Sequence, residues 1–545
     1  MSSIDPELPT RINALGINPT AIERITVTSR DGKQLVVLDN QEKQANSLQL
    51  YSHLTANDGT ISPADAKRGL TLFGDKIIAH RIANPGVHTA VEALEKIVEN
   101  GAPARSIIER KYAAKPLPIF ADEIRAIAKK FNNRVIIYDE AGILQTAQQL
   151  NKAFSWTHRW SPQDVFNFAA FKAAPFLDLQ DILYKNGMGA DCSSKPEIHA
   201  ARALGLYGDK IMFTANGVDH TEYKLARDSR AIINFDDISD IRYYQDIVGA
   251  LPTFAVLRYN PGTRKSGGNH VFGNTVDQKF GIPHEQMIDA VMELRQGGVQ
   301  SIGLHMMVVS NERNAQNIIN TSELMFELIN EIKFETGEDI KFANLGGGIG
   351  TSYRPEDREA KLDEISAGIQ ANYNRLILGK GRKPVRLAME NGRYLTGQHG
   401  IGVAEVLRVQ NKYHKFVRLN AAMPVNMRPG MYGSYHHMNV LGKENQPQDQ
   451  VYRVVGNMCE NNDHFAVDRA LPQVESGDLL VMHNCGAHTP GMAFEYNGRL
   501  DCSHVLRRVD GSLLVMRREK DAIEYMAAQS HSPLFARYAE QVRSK

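Results

Sequence analysis

A single lysine interrupts a long apolar stretch of the chain. The run Val165-Phe-Asn-Phe-Ala-Ala-Phe-Lys172-Ala-Ala-Pro-Phe-Leu177 carries one charge, at Lys172. A phenylalanine-rich run of this length is typical of a buried strand. An ammonium group buried without a partner tends to lose its proton, and a neutral lysine amine is a nucleophile that attacks carbonyl compounds. The run alone leaves open the alternative that Lys172 lies at a strand end and extends its charge into water.

Clustered glycines follow a predicted strand and precede a predicted helix at Asn344-Leu345-Gly346-Gly347-Gly348-Ile349-Gly350. Glycines let backbone N–H groups approach a phosphate closely, and loops after late strands of a parallel barrel often bind phosphate. The stretch is neither a dinucleotide-binding fingerprint nor a P-loop, because it lacks the acidic residue of the first and the Lys-Ser/Thr of the second. A flexible turn is the alternative.

Two further segments place titratable side chains together. Glu390 and Arg393 lie in Met389-Glu-Asn-Gly-Arg-Tyr394, at the end of the last predicted strand of the central region. A carboxylate there can pair with a protonated pyridine nitrogen and an arginine can contact a phosphate, whereas the alternative is an ion pair on a surface loop. Cys459 stands beside Glu460 in a polar loop. A thiol there can donate a proton, although an inert buried cysteine is the commoner case.

Predicted strands and helices that could position these residues alternate about eight times over roughly 250 residues, which favours a (β/α)₈ barrel of the TIM type. A doubly wound open sheet is the alternative. The predicted organisation is an α/β extension of unknown role at residues 1–115, the barrel at 116–395, and a C-terminal β domain at 396–545. A polar closing helix is expected at 520–543.

The overall composition is that of a globular protein without a bulk charge for binding nucleic acid or an anionic membrane. The chain has 545 residues, 42% of them hydrophobic and 23% charged, and a net charge of +1. This balance gives no indication of a nucleic acid or an anionic membrane as partner. We expect no signal peptide and no membrane span. Four cysteines without zinc-ligand spacing argue against a disulfide scaffold and a metal site, and favour the cytoplasm.

The order of these features resembles one enzyme family. A lysine, a glycine-rich loop, Glu-x-Gly-Arg and Cys-Glu, in a barrel followed by a β domain, are similar to the fold-type III decarboxylases, which use pyridoxal 5′-phosphate (PLP) and share the alanine racemase-like fold. The resemblance covers about residues 117–520 and is strongest to diaminopimelate decarboxylases, with ornithine decarboxylases as further relatives. The other matching segments are residues 136–141, as the opening barrel strand, and residues 189–194, 258–262, 279–281 and 427–436.

The resemblance implies a set of cofactor-binding residues. They are Lys172, Ser310, Gly347, Gly348, Gly350, Glu390, Arg393 and His488. In the family the lysine forms a Schiff base with PLP, and the glycines hold the phosphate with help from the serine and the arginine. Glu390 would keep the pyridine nitrogen protonated, so that the ring acts as an electron sink.

The resemblance also implies how a substrate is handled. Arg428 and Tyr432 match residues that bind the carboxylate that is not lost, a role that suits bidentate arginine. Cys459 would protonate the carbanion after CO₂ leaves, and Glu460 would bind the distal amine. Because the family's Cys-Glu loop comes from the partner subunit, a homodimer with shared active sites is implied.

Four segments near the cofactor depart from the family pattern. The family's Tyr-Ala-Val-Lys-Ala-Asn is Ala169-Ala-Phe-Lys172-Ala-Ala174, Met307 replaces a histidine that stacks on the pyridine ring, and Asn391 replaces proline. The family's Gly-Ala-Tyr is Gly486-Ala487-His488, which alters a phosphate contact. We therefore expect a specialised decarboxylase for an amino acid with a second carboxylate, either diaminopimelate-like or a siderophore precursor such as citryl-ornithine. A PLP-dependent racemase and a non-catalytic PLP-binding protein are the alternatives.

Overall fold

The computed structural model describes residues 4–13, 15, 22–41, 44–55, 60–110, 115–159, 165–214, 216–264, 275–444, 446–529 and 532–543. Within these ranges no helix is long and apolar enough to cross a membrane. All four cysteines fall inside them, and none of the four forms a disulfide there.

Eight parallel strands close into a barrel at the centre of the chain. They are Phe168–Ala170, Gly189–Cys192, Ile211–Thr214, Ile232–Phe235, Phe254–Asn260, Ser301–His305, Phe342–Asn344 and Arg386–Ala388. The first and last strands meet at a parallel bridge between Asn167 and Met389, where Phe168 N donates to Met389 O at 2.8 Å. This closure confirms the predicted (β/α)₈ barrel over the open sheet.

Helices surround the barrel, one before the first strand and one between each pair of successive strands. They are Glu140–Ala153, Leu177–Lys185, Lys195–Ala203, His220–Asp228, Ile238–Ile247, Met287–Gln296, Ala315–Thr336 and Leu362–Leu376. The strands are covered on both faces, so Ile211–Thr214 and Ile232–Phe235 are buried at every position. The helices are one-sided, and Ala315–Thr336 buries Ile318, Met325 and Ile329 towards the core.

A mixed sheet forms the C-terminal β domain. Its strands are Arg134–Asp139, Gly400–Asn411, Lys415–Leu419, Met438–Val440, Gln450–Val455, His464–Leu471, Leu479–Met482, Ser503–Arg507 and Leu513–Arg517. Arg134–Asp139 pairs antiparallel with Gly400–Asn411 and parallel with Ser503–Arg507. The expectation that residues 136–141 open the barrel is therefore wrong. A short apolar run predicts a buried strand but carries no information about the sheet it joins.

Residues 8–110, here called the N-terminal unit, have a sheet and a core of their own. The sheet order is Gln34–Asp39, Ile22–Thr28, Ala104–Arg110 and Thr60–Ile61. Its helices are Leu8–Asn13, Ala45–Leu54, Pro63–Phe73, Asp75–Ala83 and Thr89–Asn100. Leu50, Tyr51 and Leu94 are buried in this core. The unit thus has a hydrophobic core that is distinct from the core of the barrel.

The described part of the C-terminus ends in two helices, Ala522–Gln529 and Pro533–Arg543, where one closing helix was predicted. The second helix has its own start signals. Pro533 takes its first position, and Ser532 Oγ accepts a hydrogen bond from Leu534 N at 3.3 Å. Serine before proline is a strong helix N-terminus, so a new helix begins there.

Candidate active site

A cavity of about 420 Å³ lies at the carboxyl ends of the barrel strands. Eight of the predicted site residues line it, namely Lys172, Ser310, Gly348, Glu390, Arg393, Arg428, Tyr432 and His488. Gly347, Gly350, Cys459 and Glu460, all within the described ranges, do not. This end of a barrel carries the active site in TIM-barrel enzymes, because the loops there bring side chains from several strands together.

Lys172 follows the first barrel strand rather than lying inside it. The strand ends at Ala170, and Phe171–Ala173 form a 3₁₀ turn from which Lys172 lines the cavity. Lys172 is exposed there, so the expectation of a buried ammonium group is wrong. Small neighbours keep the turn close to the last barrel loop, since a Cβ on Gly392 would lie 2.7 Å from the Cβ of Ala173. The result is a primary amine facing a cavity, where it can attack a carbonyl.

Glu390 is a buried carboxylate held by two neighbours. Asn344 Nδ2 donates to Glu390 Oε1 at 2.8 Å, and His305 Nε2 lies 3.1 Å from Oε2. Asn234 Nδ2 donates to His305 Nδ1 at 3.0 Å, so the tautomer with its proton on Nε2 satisfies both contacts. Burial favours the neutral acid, but His305 and nearby cations outweigh it and hold the pKa of Glu390 below its usual value. Glu390 is therefore ionised at neutral pH.

Asp191 is a second buried acid in the cavity wall. Burial and the charge of Glu390 raise the pKa of Asp191 well above its usual value. Nearby, Arg258 donates to Asp236 Oδ1 at 3.0 Å, and its guanidinium lies 4.7 Å from the ring centroid of Phe280. The cavity wall thus contains an ionised carboxylate, an acid whose charged form is disfavoured, and an arginine already paired with Asp236.

The glycine-rich loop brings its backbone against the cavity at one point. Gly346 and Gly348 have φ of 70° and 99°, which residues with a side chain rarely adopt. A Cβ on Gly347 would lie 2.3 Å from Glu390 O, so only glycine permits this approach. Gly350 donates its N–H to Glu312 O at 2.8 Å. Of the three predicted phosphate-binding glycines, Gly348 is therefore the one whose backbone faces the cavity.

Two arginines converge on one phenol beside the cavity. Arg393 Nη1 donates to Tyr353 Oη at 2.6 Å, and Arg428 Nη1 donates to the same oxygen at 3.3 Å. Both arginines line the cavity, and the buried Nε of Arg428 has no hydrogen-bond partner among the described residues. Two guanidinium groups with spare donors suit a carboxylate, which accepts hydrogen bonds through both oxygens.

His488 and Met307 line the cavity as uncharged groups. His488 has φ of 60°, and its N–H donates to Ala173 O at 2.7 Å. Burial and the neighbouring cations hold the pKa of His488 well below its usual value, so its imidazole is neutral. Met307 Sδ lies 3.1 Å from Gly347 N, which places the thioether against the glycine-rich loop. Neither side chain can supply a positive charge to this wall.

Cys459 and Glu460 are exposed on a turn outside the cavity of their own chain. Cys459 N donates to Asn497 Oδ1 at 3.2 Å. The turn is held at its base by Asp463, whose two carboxylate oxygens accept from Met423 N at 2.6 Å and Met458 N at 2.7 Å. The thiol and the carboxylate are thus exposed, and neither lines the cavity that contains Lys172.

Sequence reasoning missed four residues that shape the site, namely Asp191, His305, Asn344 and Tyr353. Three carried a usable signal. Asp191 lies in residues 189–194, which match the family, and Asn344 ends the strand before the glycines. His305 lies two positions before Met307, where the family has its stacking histidine. Tyr353 gave none, because its contact with Arg428 spans 75 residues of sequence. Such a long-range contact depends on the closed barrel and the β domain being in place.

Comparison with known proteins identifies the two parts of the chain separately. Residues 143–397 match the family described as pyridoxal-dependent decarboxylase, pyridoxal binding domain. Residues 14–122 match a family described only as an uncharacterised protein conserved in bacteria. The N-terminal unit is therefore similar to a protein of undescribed role.

Relatives match over the barrel and the β domain. Protein TabA of Pseudomonas amygdali pv. tabaci is 33% identical over 412 residues, which is 75% of this chain and 93% of that protein. Diaminopimelate decarboxylase of Methanothermobacter thermautotrophicus is 29% identical, covering 74% of this chain and 93% of its own length. The crystal structure of diaminopimelate decarboxylase from M. jannaschii with L-lysine aligns with a TM-score of 0.67 and 25% identity, over 75% of this chain and 95% of that one.

These matches confirm the family resemblance drawn from the sequence, the barrel with a β domain, and PLP as the cofactor. They cover the segment that carries the lysine, the glycine-rich loop and the buried glutamate. The chain belongs to the PLP-dependent amino-acid decarboxylases, the family that includes the diaminopimelate and ornithine decarboxylases.

Proposed function

We propose that this enzyme removes one carboxylate as CO₂ from an amino acid that carries a second carboxylate, which it retains. The observation that carries the proposal is the guanidinium group of Arg428, which lines the same cavity as Lys172. A guanidinium can donate two parallel hydrogen bonds to a carboxylate, so a substrate carboxylate in this cavity has a matching partner. Candidate substrates are diaminopimelate-like amino acids and siderophore precursors such as citryl-ornithine.

The residues of the cavity fit PLP. Lys172 offers an exposed amine for the aldehyde, and ionised Glu390 offers a partner for a protonated pyridine nitrogen. For the phosphate, Gly348 offers a backbone without a side chain at the cavity wall, and Ser310 offers a hydroxyl group. When bound, PLP supplies the electron sink that lets the bond to the departing carboxylate break.

The side chains of the chain itself have distinct tasks in this scheme. Asn344 and His305 hold both oxygens of Glu390, so its negative charge stays in one place. Arg428, with Tyr432 on the same wall, binds the retained carboxylate and so fixes which carboxylate of the substrate faces the reacting centre. Burial and the charge of Glu390 favour the protonated form of Asp191, which can donate a hydrogen bond without adding charge.

The proton donor is proposed to come from a second copy of the chain. Cys459 and Glu460 are exposed and lie outside the cavity of their own chain. A proton donor is needed where CO₂ leaves, and a thiol can act as one. A homodimer in which each copy places this turn at the other's cavity explains why the turn is exposed and also supplies the proton donor.

Mixing Lys172→Ala chains with Cys459→Ala chains is expected to restore activity in heterodimers, because one of the two active sites then contains both Lys172 and Cys459.

Substitution of Gly348 by alanine is expected to weaken PLP binding by about tenfold or more, measured by titrating apoenzyme with PLP. An added Cβ would lie 2.3 Å from Val309 O, and the φ of 99° is unfavourable for alanine. Gly381→Ala is the matched control, since it also has positive φ but no atom within 4 Å of an added Cβ. Equal PLP affinity in both variants contradicts the placement of the phosphate.

Substitution of Arg428 by lysine is expected to raise KM for a two-carboxylate substrate by about ten- to a hundredfold, because the charge stays while the bidentate fork is lost. The kcat at saturating substrate is expected to change far less. Arg418→Lys is the control, since Arg418 does not line the cavity and donates to Gly456 O at 2.9 Å and to Gln410 Oε1 at 3.4 Å. An unchanged KM in Arg428→Lys contradicts the proposed carboxylate contact.

The proposal is tested with purified, PLP-saturated enzyme and amino acids labelled in the α-carboxyl group. The panel pairs meso-diaminopimelate and citryl-ornithine with lysine and ornithine, which lack the second carboxylate. We expect trapped labelled CO₂ from at least one of the first pair and far less from the second. Equal release from lysine or ornithine overturns the substrate class. Inverted stereochemistry without CO₂ indicates a racemase, and bound PLP without turnover indicates a non-catalytic protein.

A further inference from the structure

Tyr353 lies just beyond the glycine-rich loop and is 8% exposed. Besides its hydrogen bonds from Arg393 at 2.6 Å and Arg428 at 3.3 Å, its ring faces both side chains. The two guanidinium carbons lie 5.9 Å and 5.7 Å from the ring centroid. Tyr353 is not among the described residues that line the cavity. Tyr353 therefore contacts both arginines without contacting a ligand in the cavity.

The guanidinium groups of Arg393 and Arg428 repel each other, because both are positively charged and both contact Tyr353. Burial and the charge of Arg428 lower the pKa of Arg393, whereas Tyr353 acts in the opposite direction. Burial works against ionisation of Tyr353, but the two arginines outweigh it and hold the pKa of the phenol below its usual value. The shared oxygen thus offsets a repulsion that would otherwise drive the arginines apart.

The backbone before Tyr353 is anchored by a residue at the junction with the N-terminal unit. Lys115 Nζ donates to Ser352 O and, at 2.9 Å, to Asn484 Oδ1. The backbone of Lys115 is itself fixed, since its carbonyl oxygen accepts from Asn439 Nδ2 at 2.9 Å. Lys115 lies within the segment that matches the uncharacterised bacterial family and outside the match to the decarboxylases.

We propose that Tyr353 is a positioning residue that holds Arg393 and Arg428 side by side for the retained carboxylate, and that Lys115 holds Tyr353 in place. In this proposal Arg393 binds the substrate, instead of the phosphate contact that the family resemblance implied for it. The proposal rests on the substrate class proposed above. A carboxylate binds two guanidinium groups best when their donors are already directed at it. Without the phenol oxygen the two guanidinium groups move apart. Each arginine side chain must then be ordered again when the carboxylate binds, which lowers the affinity. The chain preceding the barrel thereby contributes to substrate affinity.

The test uses two probes that differ only in the carboxylate, L-lysine and cadaverine, titrated calorimetrically into the PLP-loaded enzyme. In Tyr353→Phe we expect the dissociation constant of lysine to rise about tenfold and that of cadaverine to stay unchanged, because only lysine contacts the arginines. With a turned-over substrate, the same variant is expected to raise KM while kcat changes by less than about twofold. Unchanged lysine affinity overturns the proposal.

Tyr373→Phe separates positioning from a merely structural role. Tyr373 is fully buried, and its hydroxyl bonds the backbone of Val385 in both directions, at 3.0 Å and 2.9 Å. Its loss is expected to lower Tm without changing the lysine-to-cadaverine preference. If Tyr353→Phe lowers Tm and loses both probes equally, its role is structural and the proposal fails.

Lys115→Met tests the second half of the proposal. Methionine keeps the unbranched stem of the side chain but lacks the amine that donates to Ser352 O, so we expect lysine affinity to fall about threefold with cadaverine unaffected. Lys443→Met is the matched control, because Lys443 Nζ anchors Asp478 at 2.8 Å in the β domain, away from the cavity. Equal lysine affinity in the two variants overturns the role of Lys115.

The outcomes distinguish this inference from the proposed function. If the wild-type enzyme binds lysine no better than cadaverine, the cavity does not recognise a retained carboxylate. The proposed substrate class and the positioning role of Tyr353 then fail together. If the wild type prefers lysine and Tyr353→Phe prefers it equally, the substrate class stands and the positioning role is refuted.

Discussion

Replacement of Lys172 by alanine is expected to lower kcat by at least about a thousandfold and to leave PLP removable by gel filtration. The cavity around Lys172 has no other lysine among its lining residues in the described part of the chain. Alanine therefore leaves PLP without a covalent attachment and the reaction without its amine. The measurement is CO₂ release at saturating PLP, together with the visible absorbance of the protein fraction after filtration.

Lys185→Ala is the control for this substitution. Lys185 lies at the end of the helix Leu177–Lys185, where it pairs with Asp181 at 2.6 Å on the surface. Its loss is expected to change neither PLP retention nor rate by more than about twofold, since surface ion pairs contribute little. Wild-type turnover and firmly held PLP in Lys172→Ala would contradict the assignment of Lys172.

The second large effect is expected for Glu390→Gln, with kcat lower by about a hundred- to a thousandfold while PLP stays bound. Glutamine keeps the shape but cannot carry the negative charge that favours a protonated pyridine nitrogen. Because His305 holds the pKa of Glu390 below its usual value, the carboxylate stays ionised as pH falls through the neutral range. A loss of activity between neutral pH and about pH 5.5 is therefore not expected to come from Glu390.

Glu140→Gln gives a matched control of a buried glutamate outside the cavity. Glu140 Oε2 accepts from Arg508 at 2.9 Å and from Val509 N at 2.9 Å. Its replacement is expected to reduce Tm, because it removes the charge of a buried carboxylate that is paired with the more exposed Arg508, and to leave kcat within about twofold of the wild type. If both glutamine variants lose rate equally, the effect of Glu390 is structural rather than electronic.

The sequence predicted the residues of the site better than their surroundings. Lys172, Glu390 and Gly348 lie at or just after barrel strands, and parallel strands direct their carboxyl ends to one face, so they meet as predicted. The apolar run around Lys172 predicted a buried strand through the lysine, but the strand ends at Ala170. Hydrophobicity gives no strand boundary where small alanines fit equally in a strand and a turn.

What could not be predicted depends on contacts between distant segments. The strand Arg134–Asp139 joins the β domain because Gly400–Asn411 and Ser503–Arg507 flank it, more than 260 residues later in the chain. Tyr353 meets Arg428 only once the barrel and that domain are assembled. Periodicity reports local structure, whereas these pairings are set by global packing.

The central claim is that the cavity around Lys172 is where PLP binds and the carboxylate leaves. Borohydride reduction of the PLP-loaded enzyme, followed by peptide mapping with mass spectrometry, tests it most directly, because reduction makes the covalent link of PLP to its lysine permanent. We predict a pyridoxyl group on Lys172 and CO₂ release lost in proportion to its labelling. A pyridoxyl group on another lysine with Lys172 unlabelled, or full labelling of Lys172 with undiminished CO₂ release, would contradict the claim.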